Sequence, residues 1–392
     1  MSTRVDPAFL RKLGRYGAFD ITACFNCGNC TAVCPLSSGN DAFPRRMIRY
    51  GQIGAATRLL GCKEVWQCFY CGECSDTCPR QAEPGEFMAA ARRYAIASCD
   101  PTGVSRLLYT SKLFTLAFLL ALSALLGALL LTGHGKMATG APELFEFRRT
   151  EGFLSYQVVH NLGLLVIVLA AIAMVVGVLR MSVRLSRSIE RPSVATDAEP
   201  TGRMARIVQA TRAVAAELAI HQSFRDCEEQ PKASWYAGRR FIHWAIMWGF
   251  IGLLIATGAD WLLDMTVGKD PGQPVALWHP TRLLGTLAGV LMVYGAGASI
   301  ILRWTRPEKY FTHSLLSDWL FLWLLFLAGA TGFVVEAAVY LPTGADWMYV
   351  ALLIHVVLSM EVALLLPFTK FAHAVYRPIA LFLHNYLRPS AT

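Results

Sequence analysis

Eight of the eleven cysteines fall into two patterns of identical spacing near the start of this 392-residue chain. Each pattern is Cys-x2-Cys-x2-Cys-x3-Cys-Pro, formed by Cys24, Cys27, Cys30, Cys34 and Pro35 and again by Cys68, Cys71, Cys74, Cys78 and Pro79. This is the spacing of bacterial ferredoxins that bind two iron–sulfur clusters. Three closely spaced thiolates wrap three corners of a cubane, and the fourth cysteine reaches the other cluster. The spacing therefore predicts two [4Fe–4S] clusters, one on Cys24, Cys27, Cys30 and Cys78 and the other on Cys68, Cys71, Cys74 and Cys34.

Zinc is the alternative occupant of a cysteine cluster, but structural zinc sites favour separated pairs of ligands that give four donors to one ion. A four-cysteine run ending in Cys-Pro and made twice does not follow that pattern. Gly28 and Gly72 follow the second cysteine of each repeat and allow the backbone to approach a cluster. Cys62 and Cys99 lie outside the repeats, and we interpret them as small apolar residues rather than ligands.

The composition indicates a membrane protein with a polar first part. Of all residues 55% are hydrophobic and only 16% are charged, against about 25% charged in soluble domains. The apolar excess begins after residue 107. Six apolar stretches follow, each close to or above the ~20 residues that cross a bilayer. They cover about 110–132, 154–180, 241–264, 282–302, 316–340 and 347–369. The predicted fold class is mainly α, an α-helical two-cluster ferredoxin domain followed by a six-span helical bundle.

Basic residues predict the orientation of the chain. If the N-terminus is inside, the inner connections carry 17 Lys and Arg and the outer ones five, which favours both termini in the cytoplasm. The chain has no secretory signal before its cysteines, so we expect a multi-pass protein of a prokaryotic cytoplasmic membrane with reduced thiols. The net charge of +9 is explained by these loops, and nucleic acid is not an expected partner.

The inner connection at 180–240 contains apolar residues at helical spacing between Met204 and Phe224. This pattern indicates an amphipathic helix that lies on the inner membrane surface or against a partner. A purely structural surface helix is the simpler interpretation.

Histidines within the apolar stretches are candidate haem ligands, because neutral imidazole is a common axial ligand and ionisable residues are costly in lipid. His355 and His373 are 18 residues apart, so in one helix they share a face about five turns and ~27 Å apart. Pro367 lies between them and can kink that helix. The facing ligand expected for His373 is His243. For His355 it is His160 or His279, with His160 preferred.

Other interpretations of these histidines remain open. They could simply hydrogen-bond between helices, and His279 could be an interfacial residue at a quinone pocket with Arg282. The remaining histidines, His221 among them, are expected in loops without a ligand role. Glu361 lies in the middle of the last span, where it could serve protons near a quinone or pair with Thr331 or another polar group inside the bundle, and the structural role is preferred.

The quoted motifs resemble two known families. Residues 20–100 resemble the two-cluster ferredoxin subunit of heterodisulfide reductase. Residues 240–383 resemble the cytochrome b subunit of that enzyme and the nitrate reductase gamma-like proteins. The pieces that match are Arg240-Phe241-Ile242-His243, His279-Pro280-Thr281-Arg282, Ser317-Asp318-Trp319 and Pro367 to His373. The C-terminal half is also similar to the membrane protein of tricarballylate utilisation, which re-oxidises a flavin dehydrogenase.

The resemblance implies a fusion of these subunits with one or two haems b. Gamma-type subunits carry a second histidine ten residues after the first, where this chain has Leu253. A haem at His355 therefore requires His160 or His279 as its second ligand. The resemblance also implies a cytoplasmic partner, either a heterodisulfide-reductase-like catalytic subunit or a flavoprotein.

These observations predict five segments, which are a cytoplasmic ferredoxin-type domain (1–107), two transmembrane helices (108–182), a cytoplasmic amphipathic connection (183–240), a four-helix haem b bundle (241–374) and a cytoplasmic tail (375–392). The expected function is electron transfer between a cytoplasmic redox partner and the quinone pool, as a subunit of a quinone-linked oxidoreductase in a respiratory chain. No nucleotide or flavin motif is visible, so substrate chemistry is expected in a partner. The rival hypotheses are a redox sensor without quinone turnover and a transporter driven by electron flow.

Overall fold

The computed structural model describes residues 5–18, 20–37, 42–132, 154, 156–188, 202–221, 235–267, 276–305, 314–340 and 347–387. These residues form helices and no strand, which confirms the predicted fold class. His134, Cys227 and His313, to which the sequence assigns no ligand role, lie outside the described residues.

The part before residue 108, here called the cysteine module, is built from short helices around a compact apolar core. Its α-helices are α1 Phe9–Gly14, α2 Asn29–Ala32, α3 Arg45–Gln52, α4 Ala56–Leu60, α5 Glu64–Gln67, α6 Glu73–Asp76 and α7 Pro84–Cys99, with a 3₁₀ turn at Ile21–Ala23. Phe9, Leu13, Met47, Trp66 and Phe87 are almost completely buried. The short helices leave the cysteines in the turns between them, and this core holds those turns in place.

Longer apolar helices follow the module. They are α8 Val104–Thr110, α9 Lys112–Leu131, α10 Tyr156–Ser188, α11 Arg203–Ile220, α12 Arg239–Thr266, α13 Pro280–Thr305, α14 Leu316–Tyr340, α15 Trp347–Leu365 and α16 Ala372–Leu387. Six segments of the described chain are long and apolar enough to cross a membrane. Many of their leucines, isoleucines and valines are exposed, as expected of side chains that face lipid. The chain is therefore a multi-pass membrane protein by the length and composition of its helices.

Small residues bring α12 and α13 into close contact. A Cβ atom added to Gly249 would lie 2.5 Å from the backbone nitrogen of Met292, and one added to Gly295 would lie 2.9 Å from the carbonyl oxygen of Ile242. Close backbone approach through small residues is a common way for helices to associate in lipid. It fixes the position of α12, which carries His243.

The last span is not one helix. α15 ends at Leu365, a 3₁₀ turn covers Leu366–Phe368, and α16 begins at Ala372. Pro367 cannot donate the backbone hydrogen bond that a continuous helix needs. The expectation that His355 and His373 share a face of a single helix was therefore wrong, and the distance derived from it does not apply. Part of the predicted C-terminal tail is helical, since α16 extends to Leu387.

The amphipathic pattern after residue 203 is confirmed as a helix, α11. Its described contacts are with α16 and, at its C-terminal end, with α12. Glu217 forms an ion pair of 2.5 Å with Arg377, and the Arg206 guanidinium lies 5.6 Å from the centre of the Tyr386 ring. The helix thus packs against the protein itself.

A buried ion-pair network joins the cysteine module to the bundle. Asp318, at the start of α14, is 3% exposed. It accepts hydrogen bonds of 2.9 Å from both Arg93 of α7 and Lys370, and Arg93 also donates to the carbonyl oxygen of Tyr16. One carboxylate therefore neutralises cations from two parts of the chain.

We predict that Asp318→Ala destabilises the protein by about 3 kcal/mol, because it leaves two cations without their counter-charge in a buried site. The apparent melting temperature in detergent measures this effect. Lys12→Met is the control, since it breaks an exposed ion pair with Asp6 and should cost less than about 1 kcal/mol. Equal melting temperatures for the two variants would contradict the structural role given to Asp318.

Glu86 is a second buried carboxyl near this network. It lies in the first turn of α7 and is 5% exposed, and its Oε1 atom has no hydrogen-bond partner. Burial raises the pKa of Glu86 to about 7, against the opposing influence of Arg93 and with a smaller contribution from Asp318 in the same direction. The folded protein therefore holds a proton that the unfolded chain releases at lower pH.

We predict that the wild-type protein loses stability as the pH rises from about 4.5, the ordinary pKa of a glutamate carboxyl, to about 7, the pKa of Glu86 in the folded protein. Glu86→Gln cannot lose this proton, so its apparent melting temperature should fall less across the same window. Melting curves between pH 5 and pH 8 measure the difference, with the exposed Asp20→Asn as the control. A Glu86→Gln curve that parallels the wild type would refute this assignment.

Candidate functional site

The two cysteine repeats adopt the same local backbone. Gly28 and Gly72 both have φ of +97° and precede the short helices α2 and α6. Asn26 and Tyr70, two residues earlier in each repeat, also have positive φ. Left-handed geometry at these positions turns the chain so that successive cysteines can face one centre, and glycine adopts it without a steric penalty.

The structure brings cysteines of the two repeats close to one another. The titratable neighbours of Cys30 include Cys24, Cys27 and Cys78, and those of Cys34 include Cys68, Cys71 and, more weakly, Cys30. Cys74 has Cys68, Cys71 and Cys34 as neighbours, and Cys30 more weakly. The fourth cysteine of each repeat thus lies beside the other repeat, as the ferredoxin spacing predicts. The assignment of each cysteine to a cluster stays a prediction.

The donor chemistry suits cubane clusters. Among the described residues, no group of three or more His, Cys, Asp or Glu converges on a single metal ion. A cubane does not require such a group, because each thiolate binds a different iron. The backbone N–H groups of Asn26 and Ala82 donate to the sulfur atoms of Cys24 and Cys78 at 3.4 Å, and hydrogen bonds of this kind influence cluster potentials.

Burial differs between the two groups of cysteines. Cys27 is exposed, and Phe25 beside it is 60% exposed. Burial raises the pKa of the Cys68 thiol to about 11 and that of Cys34 to about 12, while Arg92 opposes the shift at Cys68. These thiols therefore keep their protons until iron displaces them. Cys30 is buried as well, but only the group with Cys27 has an exposed cysteine; the group with Cys68 has none and is here called the deeper group.

The second repeat rests on the ends of α12 and α16. Arg239 of α12 donates to the carbonyl oxygen of Tyr70 at 2.9 Å, and the Arg377 guanidinium of α16 lies 4.3 Å from the centre of the Phe69 ring. Trp66 also packs edge to face on Tyr376 of α16, with ring centres 5.1 Å apart. The deeper cysteine group is thus the one that touches the membrane-spanning part.

The two predicted haem ligands lie directly beside these contacts. His243 is four residues after Arg239, and His373 is four residues before Arg377, so each histidine lies one helical turn from an arginine that holds the second repeat. His373 has Arg92, Arg377 and His243 among its titratable neighbours. The structure therefore brings His243 and His373 to the same end of the bundle.

His243 has a partner that sequence reasoning missed. Its Nδ1 atom lies 2.9 Å from Nε2 of His221, which follows α11 and is 3% exposed. Three further contacts hold the end of α11 to α12, including a hydrogen bond of 3.0 Å from the Trp244 indole to the carbonyl oxygen of Ala219. No sequence signal pairs residues 22 positions apart in different helices. The only hint was that a histidine ended an amphipathic pattern.

The other predicted ligands lie apart from this pair. The Nδ1 atom of His355 is 3.0 Å from the carbonyl oxygen of Ala328 and 3.2 Å from Oγ1 of Thr331. His160 stacks beside Trp261 with ring centres 6.5 Å apart, and His279 lies 2.9 Å from the Thr281 hydroxyl. The described contacts of His355 are therefore with α14. Those of His160 are with Trp261 of α12, and those of His279 are with Thr281 of α13.

Glu361 has a different partner from the expected Thr331. Its carboxylate lies 2.5 Å from the Ser123 hydroxyl of α9, and the Thr331 hydroxyl bonds instead to the carbonyl oxygens of Leu327 and Ala328 and lies beside His355. The expected pairing of Glu361 with a polar group inside the bundle is confirmed, but the partner is Ser123 and not Thr331, because Glu361 faces α9 and not α14.

Comparisons with known proteins agree with the cysteine assignment at a coarser level. Residues 20–82 match the family described as "4Fe-4S dicluster domain". Citrate utilization protein B of Escherichia coli is 27% identical over 157 residues, which is 39% of this chain and 39% of that protein. The chain thus matches well under half of that relative's length. No solved structure matches the chain at a significant level.

We predict that Cys34→Ser damages the same cluster as Cys68→Ser, and that Cys78→Ser damages the same cluster as Cys24→Ser. Each variant should lower the iron content from about eight to about four atoms per chain, with the same reduced paramagnetic signal lost within each pair. Iron analysis and electron paramagnetic resonance (EPR) measure both effects. Cys62→Ser is the control, since its sulfur atom bonds to the carbonyl oxygen of Arg58. Loss of different signals within a pair would contradict the crossed assignment.

Proposed function

We propose that this membrane-bound iron–sulfur electron-transfer protein carries electrons between a cytoplasmic redox partner and the quinone pool. In this proposal electrons pass through the two [4Fe–4S] clusters and then through a haem b held by His243 and His373. The partner is a heterodisulfide-reductase-like catalytic subunit or a flavoprotein. The chain serves as the membrane subunit of a quinone-linked oxidoreductase in a prokaryotic cytoplasmic membrane.

The observation that carries the proposal is the contact between the second repeat and the histidine-bearing helices. Arg239 and Arg377 hold Tyr70 and Phe69 from positions one turn away from His243 and His373. The deeper cluster therefore has its closest route into the bundle at these histidines. Cys27 of the other group is exposed, so a soluble partner can exchange electrons there.

The residues around His243 and His373 fit a bis-histidine haem. The Nδ1 atom of His243 lies 2.9 Å from Nε2 of His221, and a hydrogen bond at Nδ1 fixes the tautomer and orientation of an imidazole that ligates through Nε2. The charged neighbours of His373 include Arg92, Arg377 and Lys370. Basic side chains of this kind suit the two carboxylates of haem. The haem would supply a one-electron carrier within the lipid.

The proposal includes a second haem at His355. The Nδ1 atom of His355 bonds to the Ala328 carbonyl oxygen, which orients the ring to ligate through Nε2. Its second ligand would be His160 or His279. Haem content measured per chain separates one haem from two.

We predict that His243→Ala and His373→Ala each abolish the b-type absorbance of the haem at this end, because removing one axial ligand exposes iron to exchange. Redox-titrated optical spectra of the purified chain in lipid nanodiscs measure the change, while EPR should show both clusters retained. His384→Ala is the matched control, since its Nε2 atom lies 2.9 Å from Lys63 and not at the proposed site.

Retention of the full b-type signal in His243→Ala would overturn this ligand assignment. A wild-type preparation with both clusters, no b-type absorbance and no electron transfer to quinone would overturn the proposed function. Clusters that oxidants destroy rapidly, together with that result, would favour the redox-sensor hypothesis.

A further inference from the structure

An exposed apolar surface lies at the first cysteine repeat. Among the described cysteines, Cys27 is the exposed one. The Phe25 side chain, two residues before it, is 60% exposed, and the Val33 side chain of the same repeat is 40% exposed. Single exposed apolar side chains are common on proteins, but these two lie in the same repeat as the exposed thiol. The surface is therefore next to the predicted cluster group that solvent reaches.

Two arginines lie against this surface. Arg45 begins α3, and a Cβ atom added to Gly28 would lie 3.3 Å from the Nη1 atom of Arg45. Arg80 follows the second repeat, and its Nε atom donates to the carbonyl oxygen of Ala23 at 3.5 Å. Both arginines are exposed. Ala23 and Gly28 immediately flank residues 24–27, so the two guanidinium groups lie against both ends of this exposed turn.

The positive charge of Arg45 and Arg80 is not neutralised by an ion pair in the part of the chain that the structure describes. Other arginines of the module are used to hold it together. Arg46 forms an ion pair of 2.9 Å with the buried Glu64, and Arg92 bonds to two backbone carbonyl oxygens beside the deeper group. The two arginines at the exposed turn therefore keep a charge that a binding partner can meet.

We propose that the surface formed by Phe25, Val33, Arg45 and Arg80, here called the docking surface, binds an acidic electron-carrier protein whose redox centre is ringed by carboxylates. Contacts between redox proteins are small and transient, and complementary charge raises the rate of encounter and fixes the orientation of the partners. The apolar centre excludes water at the point of electron transfer. This inference rests on the proposed function and adds the charge of the partner's face.

Other occupants suit these features less well. Anionic lipid headgroups also attract arginine, but the second repeat is the one that contacts the membrane-spanning helices, through Arg239 and Arg377. A basic protein would be repelled by the two arginines. The exposed Asp20 and Asp76 of the module pair with neither arginine and so do not remove this charge.

The exchange at the docking surface is a transfer of one electron. The reduced centre of the carrier loses one electron, and the oxidised cluster gains it. No covalent bond forms or breaks, and no proton has to move. Transfer in the opposite direction reduces the carrier by the same route. Because the step is this simple, the encounter of the two proteins sets its rate, and charge at the docking surface controls it.

The test is stopped-flow reduction of the full chain in nanodiscs of uncharged lipid by reduced flavodoxin, an acidic flavoprotein. Bleaching of the cluster absorbance measures the second-order rate. We expect the double variant Arg45→Gln, Arg80→Gln to react about tenfold more slowly than the wild type at about 0.01 M salt, where the Debye length is about 30 Å. The difference should shrink at about 0.15 M salt, because screening weakens the attraction.

Two controls separate this surface from net charge and from damage. The double variant Arg15→Gln, Arg106→Gln removes the same charge from two exposed arginines near Tyr16, and its rate should change by less than about twofold. Cytochrome c, a basic carrier, oxidises the reduced clusters, and this reaction should be faster with Arg45→Gln, Arg80→Gln than with the wild type. EPR should show both clusters in every variant.

Equal flavodoxin rates for the wild type and Arg45→Gln, Arg80→Gln would overturn the docking surface. Loss of bound anionic lipid from that variant, with its flavodoxin rate unchanged, would assign the arginines to the membrane instead. If the variant does not fold, the wild type alone decides, because its flavodoxin rate must fall with salt and its cytochrome c rate must rise.

The proposed function is tested separately, with clusters that are reduced photochemically. Their transfer of electrons to an added quinone leaves the proposed function standing even where flavodoxin results overturn the docking surface. Failure of that transfer would contradict the proposed function, while the flavodoxin rates would still decide the docking surface, since they report on the clusters alone.

Discussion

The charged seam that holds the cysteine module against the bundle is the contact on which the rest of the structure depends. Asp318 forms ion pairs with Arg93 and Lys370. Arg239 donates a hydrogen bond to the second repeat, and the Arg377 guanidinium packs on an aromatic ring of that repeat. Buried ion pairs add little net stability compared with apolar packing, but breaking one is costly. These contacts fix the orientation of the cysteine module, because they determine which repeat faces the membrane helices. An electron carrier needs that relative placement more than it needs extra stability.

The seam also gives the two cysteine groups different surroundings. Cys27 of one group is exposed to solvent, and Cys68 of the other group has three arginines as neighbours, which are Arg92, Arg239 and Arg377. Positive charge near a cluster favours its reduced, more negative state, so this arrangement stabilises an electron on the deeper cluster. His243 and His373 lie one helical turn from Arg239 and Arg377, which contact the repeat that carries Cys68.

Local sequence patterns predicted most of the elements, and long-range contacts escaped them. The spacing of the cysteines predicted an iron–sulfur domain, because a motif of eleven residues leaves little geometric freedom, and apolar length predicted the spans. Pro367 was seen, yet the break it causes before Ala372 was not, since a proline can kink a helix or end it. The contacts of His221 with His243 and of Ser123 with Glu361 could not be predicted. Their pairing depends on how separate helices pack, which periodicity does not encode.

The most direct test of the arrangement is whether water-soluble paramagnetic ions reach one cluster more easily than the other. The two reduced signals are first assigned with the Cys24→Ser and Cys68→Ser variants. A soluble dysprosium chelate is then added to the chain in nanodiscs, and the spin relaxation of each signal is measured. We expect strong relaxation of the signal that Cys24→Ser removes and weak relaxation of the signal that Cys68→Ser removes. Equal relaxation of both signals, or the reverse order, would contradict this arrangement of the clusters.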